Sequence, residues 1–314
     1  MLSPQARSFL EQLAAEGVTL PWDCDSAPQA RRVQRSAWVP PREPIEVGAV
    51  LTRTIPGPAG EIPIRVYHPE HGSAPFPALV WMHGGCWVLG TLEMADDNCR
   101  ALCANSGVAV VSVDYRLAPE HRFPIGLEDC KAAVAWIAEH GGELGIDGRR
   151  LAIGGDSAGG NLAAVVAQDS LRSDVFDLRF QLLVYPMTGT PWEERESLRE
   201  FGVGHYLTRE AVEWFAGLYA RSPEDYRDPR LAPVLAAVAD LEGLPPALVI
   251  TAEYDLFRDE GEEYADRMRE AGVEVELRRY AGELHSFFGA PARFDAAVPA
   301  RAEAGAALRE HLVE

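Results

Sequence analysis

Gly155-Asp156-Ser157-Ala158-Gly159-Gly160 stands between two runs of different character. Before it, Arg150-Leu151-Ala152-Ile153-Gly154 reads as a buried strand, and after it Asn161-Leu162-Ala163-Ala164-Val165-Val166-Ala167 reads as a helix. Small residues on both sides of Ser157 let strand and helix approach closely. The tight turn between them lifts the hydroxyl out of the sheet, beside the unpaired N–H groups that open a helix. This is the geometry of a nucleophile elbow. Gly-x-Ser-x-Gly alone is a weak signal, so its weight depends on what the rest of the chain supplies.

Outward from the elbow, strands and helices alternate. Residues 47–54 and 62–68 read as an antiparallel pair joined by a Pro/Gly turn. Residues 78–82 and 108–113 read as buried strands, with helices expected over 92–106 and 125–140. Further strands are expected at 181–185, 247–251 and 273–279, and a closing helix over 297–312. Roughly eight buried strands separated by helices predict an α/β fold built on one mostly parallel sheet with helices on both faces.

Two regions break the alternation. Residues 187–225 are polar but carry Trp192, Phe201, Tyr206, Trp214, Phe215 and Tyr219, too much for a simple crossover. Residues 1–45 open with a helix at Ser3-Pro4, its apolar face carrying Leu2, Phe9, Leu10 and Leu13, then a polar stretch with Trp22 and Trp38. That segment has too little apolar surface to fold alone. The expected organisation is an N-terminal cap segment over 1–45 and a catalytic domain over 46–314, whose insertion at about 187–225 meets the cap segment above the sheet.

Composition narrows the function. The chain is 314 residues long, and a formal charge of −19 disfavours nucleic acid and anionic membrane surfaces as partners. Cys24, Cys86, Cys99, Cys103 and Cys130 form no Cys-x-x-Cys pair or Cys/His grid, so no metal is expected. Cys99 and Cys103, on one helix, read as small buried hydrophobes. A secretory leader and a bilayer-length apolar run are both missing from the sequence, which predicts a cytoplasmic protein with no membrane span, either monomer or homodimer.

In an open α/β sheet, ligands bind beyond the C-terminal ends of the strands, so reactive residues should follow strand ends. Ser157 does so; His83-Gly84-Gly85-Cys86-Trp87 follows another strand, Asp255 a third and His285 the last. On this topology the order is serine, acid, histidine. Only His285 and His311 lie beyond Asp255, and His311 falls within the terminal helix, on an expected solvated face. Asp259 is the rival acid, but it opens a helix and is the better N-cap candidate. An imidazole can activate the hydroxyl, a carboxylate can fix the imidazole tautomer, and backbone N–H groups can stabilise an oxyanion.

Together these segments resemble the hormone-sensitive-lipase-like branch of the α/β-hydrolases, the bacterial family IV carboxylesterases. His83-Gly84-Gly85 with Trp87, Asp114-Tyr115-Arg116-Leu117-Ala118-Pro119-Glu120, the Ser157 elbow, and Asp255 with Asp259-Glu260 match in order over about residues 45–312. The resemblance implies an α/β-hydrolase fold with a helical cap. It implies Ser157 as nucleophile, Asp255 as acid and His285 as base, with an oxyanion hole from Gly84, Gly85 and Ala158, to which Cys86 can add. A small-molecule ester with a short acyl chain is the expected substrate, cleaved through an acyl-enzyme with neither metal nor organic cofactor. An amidase or deacetylase on the same triad is the alternative, and a non-catalytic receptor is a remote one.

Three departures mark this chain: Cys86 where relatives have a third glycine, Asp255-Leu256-Phe257 in place of Asp-Pro-Leu, and Ser286 after the histidine. A side chain at Cys86 costs roughly 1–2 kcal/mol if the backbone there is left-handed. Its thiol is expected to be open to bulky reagents if the sulfur faces the cleft. His83 reads as a loop-shaping residue, and Asp156 and Glu120 as carboxylates that hold loops. Trp87, Tyr185, Phe201, Trp214 and Phe287 are the candidates for the pocket wall, each also readable as core.

Overall fold

The computed structural model describes residues 1–313. Its eight strands are β1 (Ala49–Gly57), β2 (Gly60–His68), β3 (Phe76–Met82), β4 (Ala109–Val113), β5 (Ile146–Asp156), β6 (Phe180–Val184), β7 (Ala247–Tyr254) and β8 (Val275–Leu284). They form one sheet in the order β1-β2-β4-β3-β5-β6-β7-β8. Pairing is antiparallel from β1 to β2 and from β2 to β4, and parallel from β4 onward. This is the α/β-hydrolase fold.

Alternate side chains along the central strands serve two separate cores, as the period of two in a strand requires. Val80, Met82, Val111, Val113, Leu151 and Ile153 face one core. It is closed by α4 (Ile125–His140), α5 (Ala158–Ser170) and α8 (Arg258–Glu270). Leu79, Trp81, Val110, Ala152, Leu182 and Val184 face the other, closed by α3 (Leu92–Ser106) and α9 (Ala297–Leu312). Both faces of the parallel strands are covered, so their sequences read as unbroken apolar runs.

The N-terminal segment holds α1 (Pro4–Glu16) and α2 (Ala27–Ala37), with a turn at Pro21–Asp23 between them. Helix α2 lies in the polar stretch, where the sequence predicts no helix. Its few apolar contacts come from Ala27, Ala30 and Val33, and much of its attachment is polar. Arg31 donates from Nε to the Val88 carbonyl at 2.8 Å and from Nη2 to the Ala118 carbonyl at 2.6 Å, and it pairs with Glu120 at 2.7 Å. Gln34 Oε1 accepts the Gly90 N–H at 3.1 Å. The apolar side of α2 is only Ala27, Ala30 and Val33, small residues that give a weak periodic signal.

The region between β6 and β7 holds α6 (Glu196–Phe201) and α7 (Arg209–Tyr219), then short turns that rejoin the core at Leu231 and Val234. It meets the N-terminal segment through Tyr206, whose ring contacts Phe9 and Trp22 with centroids 5.2 Å away in each case. His311, expected on a solvated face, is half-buried and stacked on Phe180 at 4.5 Å, because α9 lies flat on that core.

The tightest approach in the fold is at the elbow. A methyl at Gly159 would collide with the Met82 carbonyl oxygen, and one at Gly155 would meet that same oxygen at 2.6 Å. Gly159→Ala should therefore destabilise the protein by about 3 kcal/mol or more, as backbone rather than a flexible side chain must shift. Chemical denaturation is the check, and a variant as stable as the parent would contradict this packing.

Candidate active site

Ser157 sits between the last residue of β5 and the first of α5, with φ +56° and ψ −118°, a strained backbone for a side-chain-bearing residue. It persists because its surroundings over-determine it. The Ser157 N–H donates to the Val184 carbonyl at 2.9 Å, and its carbonyl accepts from Asn161 N at 3.0 Å and Met187 N at 3.2 Å. The elbow thereby places the hydroxyl above the C-terminal edge of the sheet.

Asp255 follows β7 and His285 follows β8, and the structure brings both to Ser157. His285 Nδ1 is 2.7 Å from Asp255 Oδ2, and His285 Nε2 is 3.0 Å from Ser157 Oγ. A carboxylate oxygen can only accept, so Nδ1 carries the hydrogen and Nε2 is left to accept from the serine hydroxyl. Asp255 Oδ1 also accepts the Phe257 N–H at 2.9 Å, which fixes the carboxylate's rotation. The Tyr185 and Phe257 rings flank the imidazole, with centroids 4.7 and 5.2 Å away. All three polar side chains are buried, Ser157 retaining 4% exposure and Asp255 1%.

Asp259 is in another place than its sequence position suggested. Phe257 stands at the N-cap of α8, while Asp259 Oδ2 accepts the Ser197 N–H at 2.7 Å and so holds the start of α6. Distance from His285 settles which carboxylate faces the imidazole.

The 83–90 loop is held from several sides. His83 Nδ1 donates to the Gly84 carbonyl at 2.8 Å, its ring stacks on Tyr115 at 4.6 Å, and the Tyr115 hydroxyl donates to the His83 carbonyl at 2.8 Å. Burial lowers the His83 pKa, so the neutral ring is favoured in this loop-shaping place. Gly84 differs from its expected part: its N–H donates to Asp156 Oδ1 at 3.1 Å and is committed to holding the loop. The N–H groups of Gly85, Cys86 and Ala158 have no acceptor among the described residues. Gly85 needs its glycine, with φ +122° and the Leu89 backbone where a methyl would stand.

Cys86 has φ +52° and Trp87 φ +60°, so the loop carries the left-handed strain that a glycine would avoid. The Cys86 thiol is buried, 6% exposed, and burial pushes its pKa up to about 12. A protonated, buried sulfur is a weak nucleophile, which argues against ready modification by bulky reagents.

The aromatic candidates divide. Trp87 stacks on Tyr219 of α7 at 4.4 Å and 6°, joining the 83–90 loop to the insertion, and Tyr185 lies against His285. Phe201 packs on Tyr254, the residue before Asp255, at 5.2 Å. Trp214 is half-buried and packs on its neighbour Phe215. Phe287 is fully buried between Tyr185 and Tyr280 in the second core, so it supports the histidine loop from below. Asn161 had no signal in the sequence beyond its place in α5. Its Nδ2 donates to the Met187 and Leu231 carbonyls at 2.7 and 2.8 Å, drawing the insertion's two ends together.

Fold and site define a class. Residues 79–289 match the family model described as alpha/beta hydrolase fold, and the chain belongs to the hormone-sensitive-lipase-like branch of that family as a carboxylic ester hydrolase. It is 44% identical over 84% of its length to the carboxylic ester hydrolase LipN of Mycobacterium tuberculosis, 70% of which it covers. Ethyl acetate hydrolase of Pseudomonas putida is 35% identical, with 99% of each chain covered. A crystallised thermostable esterase from Pseudomonas putida superposes with a TM-score of 0.92 at 37% identity, over 100% of this chain and 98% of that one. Among the described residues, no helix is long and apolar enough to cross a membrane, and no group of three or more His, Cys, Asp or Glu residues is placed to hold a metal ion.

Two measurements can check this geometry. All five cysteines are free and buried, so a bulky disulfide reagent should titrate none in the native enzyme and all five after denaturation. Rapid labelling of Cys86 in the folded state would contradict its placement. Burial pushes the Asp156 pKa up to about 6, against the Gly84 N–H, which favours the charged form. From pH 4 to 6 the folded chain then holds a proton the unfolded chain has lost, and stability falls as pH rises. Asp156→Asn lacks this penalty, so its Tm should gain on the parent's through that window. A difference in Tm that is flat with pH would contradict the shift.

Proposed function

We propose that the enzyme hydrolyses small carboxylic esters of short acyl chain through a covalent acyl-enzyme on Ser157. The observation that carries this reading is the unbroken hydrogen-bonded series Asp255–His285–Ser157, at 2.7 and 3.0 Å. His285 Nε2 takes the hydroxyl proton as Ser157 Oγ attacks the ester carbonyl carbon. Asp255 holds the tautomer and stabilises the imidazolium that forms. The carbonyl oxygen, now an oxyanion, takes hydrogen bonds from the N–H groups of Gly85, Cys86 and Ala158, each worth about 3–4 kcal/mol. Collapse expels the alcohol, to which His285 returns the proton, and leaves the acyl group on Ser157. Water then repeats the sequence with His285 as base, releasing the acid.

Gly84 is left out of the oxyanion set because its N–H already serves Asp156. The short-chain preference is supported by the 4% exposure of Ser157 and by the N-terminal segment and insertion meeting at Phe9, Trp22 and Tyr206. A relative named ethyl acetate hydrolase, matching over 99% of this chain, points the same way. We read residues 1–45 and the insertion as a cap that closes over Ser157.

Ser157→Ala should lower kcat on p-nitrophenyl butyrate by at least about 10⁴-fold while leaving the fold intact. Retained turnover in that variant would overturn the assignment. Across p-nitrophenyl esters of increasing acyl length, kcat/KM should peak at a short chain, and an optimum in long chains would contradict an enclosed site. Matched anilides should be cleaved far more slowly than esters, an outcome an amidase would reverse.

A further inference from the structure

The segment that leaves β6 turns round the nucleophile elbow before it enters the insertion. The Ser157 N–H donates to the Val184 carbonyl at 2.9 Å, and the Met187 N–H donates to the Ser157 carbonyl at 3.2 Å. The elbow's backbone is thus gripped from both sides by residues 184–187. The next residue, Thr188, is fully buried and bonded twice to one residue, through that residue's side chain and its backbone: the Thr188 N–H donates to Glu260 Oε1 at 2.9 Å, and Thr188 Oγ1 donates to the Glu260 carbonyl at 2.6 Å. Glu260 is itself buried, 6% exposed, in the first turn of the helix that begins three residues after Asp255.

We propose that Glu260 is a positioning residue: it locks the 187–189 segment against the Ser157 elbow from the helix that follows the Asp255 turn, and so sets nucleophile and acid relative to each other. The proposal rests on Ser157 as the nucleophile. The fit is tight on every side. A methyl at Gly189 would stand 2.6 Å from Glu260 Oε2 and 2.9 Å from Arg195 Nη1, so an alanine there must push these side-chain ends aside. Arg195 Nη1 is the facing cation, 4.0 Å from Glu260 Oε2, and it makes no hydrogen bond among the described residues. Asp255 and the Tyr226 hydroxyl are the other titratable groups near it.

The contact that matters is acceptance of the Thr188 N–H, and it does not need a full charge. Burial pushes the Glu260 pKa up to about 7, and both the neutral and the ionised carboxyl carry an oxygen able to accept. Arg195 faces the other carboxylate oxygen at 4.0 Å without a direct hydrogen bond, which leaves Oε1 to clamp Thr188.

The test compares Glu260→Gln with Glu260→Ala, reading kcat and KM on p-nitrophenyl butyrate and the rate at which a small p-nitrophenyl phosphonate inactivates the enzyme by reacting at Ser157. Gln, which keeps the acceptor, should stay within about threefold of the parent in all three readings. Ala should lower kcat and the inactivation rate together by at least about tenfold, with KM changed less than about threefold. Gly189→Ala supplies an independent arm, since its methyl displaces the carboxylate. It should show the same kcat loss, and the double variant Gly189→Ala/Glu260→Ala should be no worse than Glu260→Ala alone. Equal behaviour of Gln and Ala, or a loss confined to KM, would overturn the proposal. Failure of the nucleophile assignment would appear separately, as turnover retained by Ser157→Ala.

Discussion

The close passage of α5 across the end of β3 is the constraint on which the rest of the molecule depends. Helix and strand meet so tightly that Gly155 and Gly159 leave no room for a methyl beside the Met82 carbonyl. That proximity forces Ser157 into a positive-φ turn and aims its hydroxyl away from the sheet. It also seats the loop leaving β3 beside the first turn of α5, where the Ala158 N–H has no acceptor among the described residues. One packing contact thereby places the hydroxyl and the nearest unpaired N–H groups together.

Strain at the site is held by polar contacts from several elements. Cys86 and Trp87 occupy left-handed backbone, each costing about 1–2 kcal/mol without the freedom of glycine. Opposing that cost, Asp156 holds Gly84, Tyr115 holds His83, and Arg31 holds Val88 from α2. Trp87 gains the face of Tyr219 in return. Cys86 is buried among core residues and burial raises its thiol pKa, so this departure from the family pattern acts through backbone and packing.

Much of this was legible in the chain. Strand ends and chain order selected Ser157, Asp255 and His285, because a parallel sheet gathers the residues just past its strands along one edge. The antiparallel pair at the start, the flanking helices and the burial of Cys99 and Cys103 were readable from period and composition. Helix α2 was not, since Arg31 and Gln34 attach it by bonds to backbone that periodicity cannot register. Asp259 read as a helix cap, yet its carboxylate is taken by the Ser197 N–H 62 positions away in sequence. Phe287 was readable as pocket wall or as core, and the turn at Ser286, φ +72°, sends it down into the second core.

The amino-acid sequence by itself determined the class of fold, the enzyme family and the residue types available at each strand end, since these depend on local period and on order along the chain. The tertiary structure decided which donors and acceptors are already spent. It assigned the Gly84 N–H to Asp156, enclosed the Cys86 thiol, and tied Thr188 to Glu260. Those outcomes depend on distances between residues far apart in sequence, and a hydrogen bond made in one place is a group withdrawn from every other.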